Sequence, residues 1–196
     1  MASAGALFGM SLASRLTPMY GNILVVAAEK MSSVIGGDKN TAILFGDGAG
    51  ACLIGREDGS CRIVDSVLHS DGAFAEDLRL GLNEPIYMNG RSVIMQAARK
   101  IPASILEVLE RNGMTAPDVD IFLMHQANQN LIDKVAKTIG VDSARFHSNI
   151  AIYGNTSSAS MLIAASEWWP NAGKTICFTA FGAGFQWGAL LASRAC

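Results

Sequence analysis

Two hydrophobic patterns run along the chain. In some stretches apolar residues recur every three or four positions, and in others they form short unbroken runs, which separates candidate helices from buried strands. Leu7, Met10, Leu12 and Leu16 recur at helical intervals among small residues, predicting a helix over residues 5–16 that stops near Pro18. Residues 23–28 form a continuous apolar run between Gly21-Asn22 and Glu29-Lys30, the pattern of a strand covered on both faces. Residues 41–45 and 51–54 predict two strands joined by the glycine turn 46–50, residues 62–69 predict another, and the mixed, polar stretch 70–89 reads as a connecting loop.

The second half is more regular. Val93, Ile94, Ala97, Ala98, Ile101, Ile105, Val108 and Leu109 mark one stripe of a helix over residues 90–112, closed by Gly113. Residues 121–124 are a short buried strand. Leu131, Ile132, Val135, Ala136 and Ile139 then define a helix ending at Gly140, and another helix covers residues 156–168. Strands at 175–180 and 185–193 flank a turn at 181–184. Strands alternating with helices predict an α/β fold with mainly parallel sheets, apart from two glycine hairpins. Those two Gly-rich turns, Phe45 to Gly50 and Phe181 to Phe185, echo each other and suggest two related halves.

Half of the 196 residues are hydrophobic, enough to bury a core and to exclude a disordered or fibrous chain. With 15 basic against 17 acidic residues the net charge is −2, so no basic field exists to hold a nucleic acid. No apolar run approaches the ~20 residues of a membrane span. The first residues lack the basic start and greasy stretch of a secretory signal, so a soluble, cytoplasmic protein is expected. Cys52, Cys61, Cys177 and Cys196 are irregularly spaced and read as reduced thiols; without a Cys-x-x-Cys pair or a His/Cys cluster, no metal is expected.

Three places offer chemistry. His125 directly follows the strand 121–124, at the carboxyl end where open α/β sheets bind ligands. Asn155 stands in a tight polar turn opening a helix, where it can serve as a cap or as a donor. Gly182-Ala183-Gly184 lies between strands, where a backbone N–H can approach a reacting oxygen closely. The upstream Gly46-Asp47-Gly48-Ala49-Gly50 opens a strand rather than a helix, which argues against a phosphate site.

Taken in order, Gly46 to Gly50, His125-Gln126-Ala127-Asn128, Gly154 to Ser160 and Phe181 to Gly188 closely resemble β-ketoacyl-acyl carrier protein synthase III, of the thiolase-like condensing enzymes. The resemblance implies a thiolase-like layered α/β fold with a complete second half (residues 90–196) and a truncated first half (residues 1–89, with its connecting loop). It implies a decarboxylative Claisen condensation of an acyl-coenzyme A primer with a malonyl-acyl carrier protein in fatty acid synthesis. No cofactor is needed, and a homodimer is expected. His125 and Asn155 match the two donors that hold the enolate oxygen, and Ala183 matches the backbone of the oxyanion hole. Gly90, Ile94 and Asn128 match positions near the pantetheine or coenzyme A. Gln126, Ala127, Asn128, Gln129 and Asn130 match the carrier-protein docking stretch, with Asn130 where a basic residue is common.

The departure is Ser3. Ala2-Ser3-Ala4-Gly5 stands where the family carries its nucleophilic cysteine at a helix start, and a serine hydroxyl without an adjacent base is a poor acyl acceptor. The chain alone is therefore expected not to condense. Alternatively Met1-Ala2-Ser3 is a start or cloning remnant and the match is accidental. Rival readings are a non-catalytic partner subunit of a complete synthase, and an acyltransferase or polyketide-type condensing enzyme on the same scaffold.

Overall fold

The structure is a computed structural model and describes residues 2–36, 39–56, 59–171 and 173–194, so Cys196 lies outside the described residues. Helix α1 (Gly5–Tyr20) continues through Pro18 instead of stopping before it. Proline lacks the N–H that would reach Ser14 O four residues back. The Thr17 hydroxyl donates to that carbonyl instead, at 3.0 Å, so the last turn survives.

Strand β1 (Ile23–Glu29) pairs antiparallel with β2 (Gly48–Ile54), Ile23 opposite Ile54 and Glu29 opposite Gly48. The expected strand at 41–45 is absent: α2 (Lys39–Ala42) is a single helical turn, and Phe45 makes only an isolated bridge with Asn155. A five-residue apolar run fits either form, and here Leu44 and Phe45 turn towards a cavity rather than into a sheet. Asp47 accepts from the Ser32 N–H and hydroxyl at 2.7 and 2.6 Å, so it pins a turn.

Strand β3 (Cys61–Ser70) joins the larger sheet. A 3₁₀ stretch and the two-residue strands β4 (Leu78–Arg79) and β5 (Tyr87–Met88) occupy the expected loop. Helix α3 (Gly90–Arg111) follows, with Asn89 capping Ser92 N. Then come β6 (Ile121–Met124), α4 (Gln129–Ile139), the single turn α5 (Ile150–Tyr153), α6 (Ala159–Trp168), β7 (Thr175–Gly182) and β8 (Gln186–Arg194). The sheet order is β3-β8-β7-β6. Among the strands of the described residues only β6 and β7 pair in parallel, because β8 returns from a tight turn and runs against both of its neighbours. The expectation of mainly parallel sheets is thus corrected to a mixed sheet. β3 belongs to this larger sheet, whereas β1 and β2 form a two-stranded sheet of their own.

Strand parity sorts the core into two layers. Ile121, Leu123, Ile176, Phe178, Leu190 and Ala192 face α1 and α6, which lie between this sheet and the β1–β2 pair. Phe122, Met124, Cys177, Ala189 and Leu191 face α3 and α4. A sheet covered on both faces needs continuous apolar strands, which is why β6 and β7 show no alternation.

Candidate active site

The carboxyl end of β6 delivers His125 by extending the ladder, its N–H donating to Thr179 O at 2.9 Å. The chain then breaks into α4, whose first turn is capped by the Asn128 side chain on Leu131 N. His125 is almost fully buried, and burial pushes its imidazole down from 6.5 to about 4, with the Ser157 carbonyl working in smaller measure the other way. The ring is therefore neutral near pH 7. Its Nδ1 lies 2.6 Å from Ser160 Oγ, at the start of α6, and the same hydroxyl accepts from Gln126 N at 3.1 Å. Sequence reading names no group holding the ring; Ser160 lies within the Gly154 to Ser160 motif, yet only the fold brings it to His125.

Asn155 arrives from a second loop. Gly154 adopts φ +65°, swinging the chain out of α5, and Asn155 is then clamped by its N–H to Leu44 O at 2.8 Å and by Gly46 N–H to its own carbonyl at 3.1 Å. The contact is close enough that a Cβ on Gly46 would lie 2.1 Å from Tyr153 O. The Asn155 side-chain oxygen accepts from Ser157 N at 2.9 Å, which leaves its NH₂ as the group offered to the cavity.

Both residues line one cavity of about 450 Å³, together with Ser3, Ala183, Gly90, Ile94 and Asn128. Ser3 lies one turn before α1, its hydroxyl 3.4 Å from Ser157 Oγ. Ala183 lies in the turn between β7 and β8. That turn is braced from behind: Asp71 and Phe185 exchange backbone hydrogen bonds at 2.8 and 2.7 Å, and Lys100, buried in α3, bonds Asp71 Oδ2 at 2.7 Å. The Lys100 ammonium lies 3.9 Å from the centre of the Trp187 ring, and His69 stacks on that ring at 5.4 Å.

The expected docking stretch divides. Ala127 and Asn128 face the cavity and Gln129 and Asn130 are exposed, but Gln126 is 0% exposed and has no surface to offer a docked protein. The described cysteines are free, and burial raises all three, Cys52 to about 11 and Cys177 to about 12. No helix among the described residues is long and apolar enough to cross a membrane.

The buried imidazole carries a stability consequence. Its folded value lies below its unfolded one, so the unfolded chain takes up a proton first and stability falls as pH drops from 6.5 towards about 4. Between about pH 7.5 and pH 5 the loss from this group is roughly 2 kcal/mol. Urea midpoints at those two pH values, compared with His125→Gln, are expected to show a steeper acid decline in the parent chain. Equal slopes would remove His125 as the cause.

Sequence models of one family match both ends: 3-oxoacyl-[acyl-carrier-protein] synthase III over residues 1–72 and its C-terminal part over residues 109–193. The β-ketoacyl-[acyl-carrier-protein] synthase III of Acaryochloris marina is 35% identical over 97% of this chain and 64% of its own length. The crystal structure of the Aquifex aeolicus 3-oxoacyl-[acyl-carrier-protein] synthase III superposes with a TM-score of 0.93 at 32% identity, covering 98% of this chain and 65% of that one. A priming β-ketosynthase from the R1128 polyketide pathway gives 0.88 at 30%, covering 99% and 64%. The chain thus spans just under two thirds of the length of the curated relatives it matches. The fold is thiolase-like α/β, and the chain belongs to the 3-oxoacyl-[acyl-carrier-protein] synthase III family.

Proposed function

We propose that the cavity is the enolate-forming half of a decarboxylative condensing site, acting on a malonyl thioester carried by an acyl carrier protein or coenzyme A. The observation that carries this reading is the convergence of a neutral imidazole and a carboxamide, from separate loops, on one largely apolar cavity. Loss of CO₂ from a malonyl thioester leaves the electron pair delocalised onto the thioester oxygen, and two neutral N–H donors stabilise that oxyanion in a site shielded from water. For His125 to donate through Nε2, Nδ1 must accept, which requires the Ser160 hydroxyl, 2.6 Å away, to turn its one proton to the ring from the Ser157 carbonyl, to which it donates at 2.9 Å. The Ala183 N–H stands where an oxyanion-hole donor would serve acyl transfer to a nucleophile at position 3, and Gly90, Ile94 and Asn128 form the wall along the pantetheine. Exposed Gln129, Asn130, Lys134 and Lys137 on α4 offer the docking face. The reaction calls for no metal or redox cofactor, in a cytoplasmic enzyme of fatty acid synthesis.

Ser3 occupies the nucleophile's station but holds its hydrogen in a hydroxyl, so the chain takes up no acyl group and does not condense. The enolate instead collects a proton from water, giving an acetyl thioester and CO₂. Incubation with malonyl-coenzyme A is expected to release CO₂ and acetyl-coenzyme A without a covalent adduct in the intact mass. No CO₂ release would remove the enolate reading, and a stable acyl-Ser3 adduct would remove the inactivity.

A second reading, as a pairing subunit or homodimer, is favoured by Leu24, Val26 and Leu53, which are 62, 60 and 68% exposed on the β1–β2 strand pair.

A further inference from the structure

We infer that Gln126 is a positioning residue that sets the spacing between His125 and Asn155. This rests on the reading of those two residues as the enolate pair. A fully buried amide is costly unless its polar atoms are paired, and Gln126 pairs them across the two loops that form the site. Its Nε2 donates to Met124 O at 2.8 Å, the last residue of β6 before His125, and to His147 O at 3.2 Å, while its Oε1 accepts from Asn149 N at 3.1 Å. Two carbonyls on one side and an N–H on the other fix which way the amide faces. The side chain is therefore a crosspiece, one end on the strand that aims His125 and the other on the segment that leads to Asn155.

That segment transmits position because it has no slack. From Asn149 the chain makes the single turn α5, closed by Tyr153 N to Asn149 O at 3.2 Å and Gly154 N to Ile150 O at 2.8 Å, and Asn155 follows at once. Asn149 is held a second time, its Nδ2 donating to Glu167 Oε2 on α6 at 2.9 Å. The Gln126 N–H also meets Ser160 Oγ, the atom that touches the His125 ring. Removing the amide thus frees the base of α5 from β6 while the Gly46 clamp on Asn155 remains, and the Asn155 donor shifts relative to the imidazole.

The test is Gln126→Met, similar in length and without the hydrogen bonds, with Gln126→Glu as the second variant, which keeps the acceptor for Asn149 N–H. A displacement of about 1 Å is worth on the order of 100-fold in turnover. In malonyl-coenzyme A decarboxylation by the full chain, Gln126→Met is expected to lower kcat by about that factor with KM nearly unchanged, and Gln126→Glu by less. In an Asn155→Ala background the Gln126→Met loss is expected to shrink to a few-fold, because the donor it positions is gone. A loss of the same size in both backgrounds, or a change confined to KM, would overturn the inference. If Gln126→Met does not fold, the same comparison is made with Gln126→Glu. Should the parent chain release no CO₂, the enolate reading falls, and the positioning claim is read from ¹H–¹⁵N spectra. The Asn155 backbone and side-chain peaks are expected to move in the variant while Gly182 and Gly184 stay; an unmoved Asn155 refutes it.

Discussion

Ser3→Cys is expected to turn a chain that forms no acyl adduct into one that gains a single acetyl group from acetyl-coenzyme A, seen by intact mass and lost on hydroxylamine treatment. The position is prepared for a thiolate. Residue 3 lies in the 3₁₀ turn that leads into α1, near the positive end of the helix dipole, and it opens onto the cavity shared by His125, Asn155 and Ala183. In such surroundings a thiol falls from about 8.5 into roughly the 3.5–7.5 range, and the thiolate attacks. A hydroxyl gains too little from the same field to ionise. The described native cysteines do not compensate, since Cys177 is pushed up to about 12 and Cys52 to about 11 by burial, and none of the three lines this cavity. If Ser3→Cys stays unmodified under conditions in which its fold is intact, residue 3 is not the nucleophile's station.

Asn155→Ala is expected to lower malonyl-coenzyme A decarboxylation by about 10²–10³-fold, the usual cost of removing one oxyanion donor. Asn155→Asp should lose at least as much, because it keeps the shape but replaces the NH₂ by a carboxylate facing the developing negative charge. The backbone clamp through Leu44 O and Gly46 N and the Gln126 tie to Asn149 are both untouched by either change, so the loop stays in place and the comparison isolates the donor. A loss below about tenfold in both variants would mean that Asn155 serves the turn rather than the reaction, since a mere cap contributes about 1 kcal/mol of stability and nothing to the rate.

Elements governed by local rules are legible in the sequence. The stripe of α3 ends at Gly113, α4 runs between the Asn128 cap and Gly140, and β6 occupies residues 121–124, so His125 at a strand's carboxyl end follows directly. What is lost depends on distant partners. Pro18 signals a stop that Thr17 repairs with one hydroxyl. The partner of β1 is β2, across a long intervening segment, and no local pattern separates that pairing from a hairpin at residues 41–54. Ser160 and Gln126 both lie inside motifs that resemblance singles out, yet the bonds that define their roles span 35 and 21 to 23 positions of the chain. Motif matching assigned Gln126 to a surface. Only its burial shows it turned inward.

Trp187 is caught between the His69 imidazole and the Lys100 ammonium, immediately behind the turn that carries Ala183. The indole therefore ties β3 and α3 to the strand that leaves that turn, one ring sharing contacts with both. Opening of that bend would part the ring from both neighbours, whereas Trp168 and Trp169, at the far end of α6, keep their own cation, Arg194.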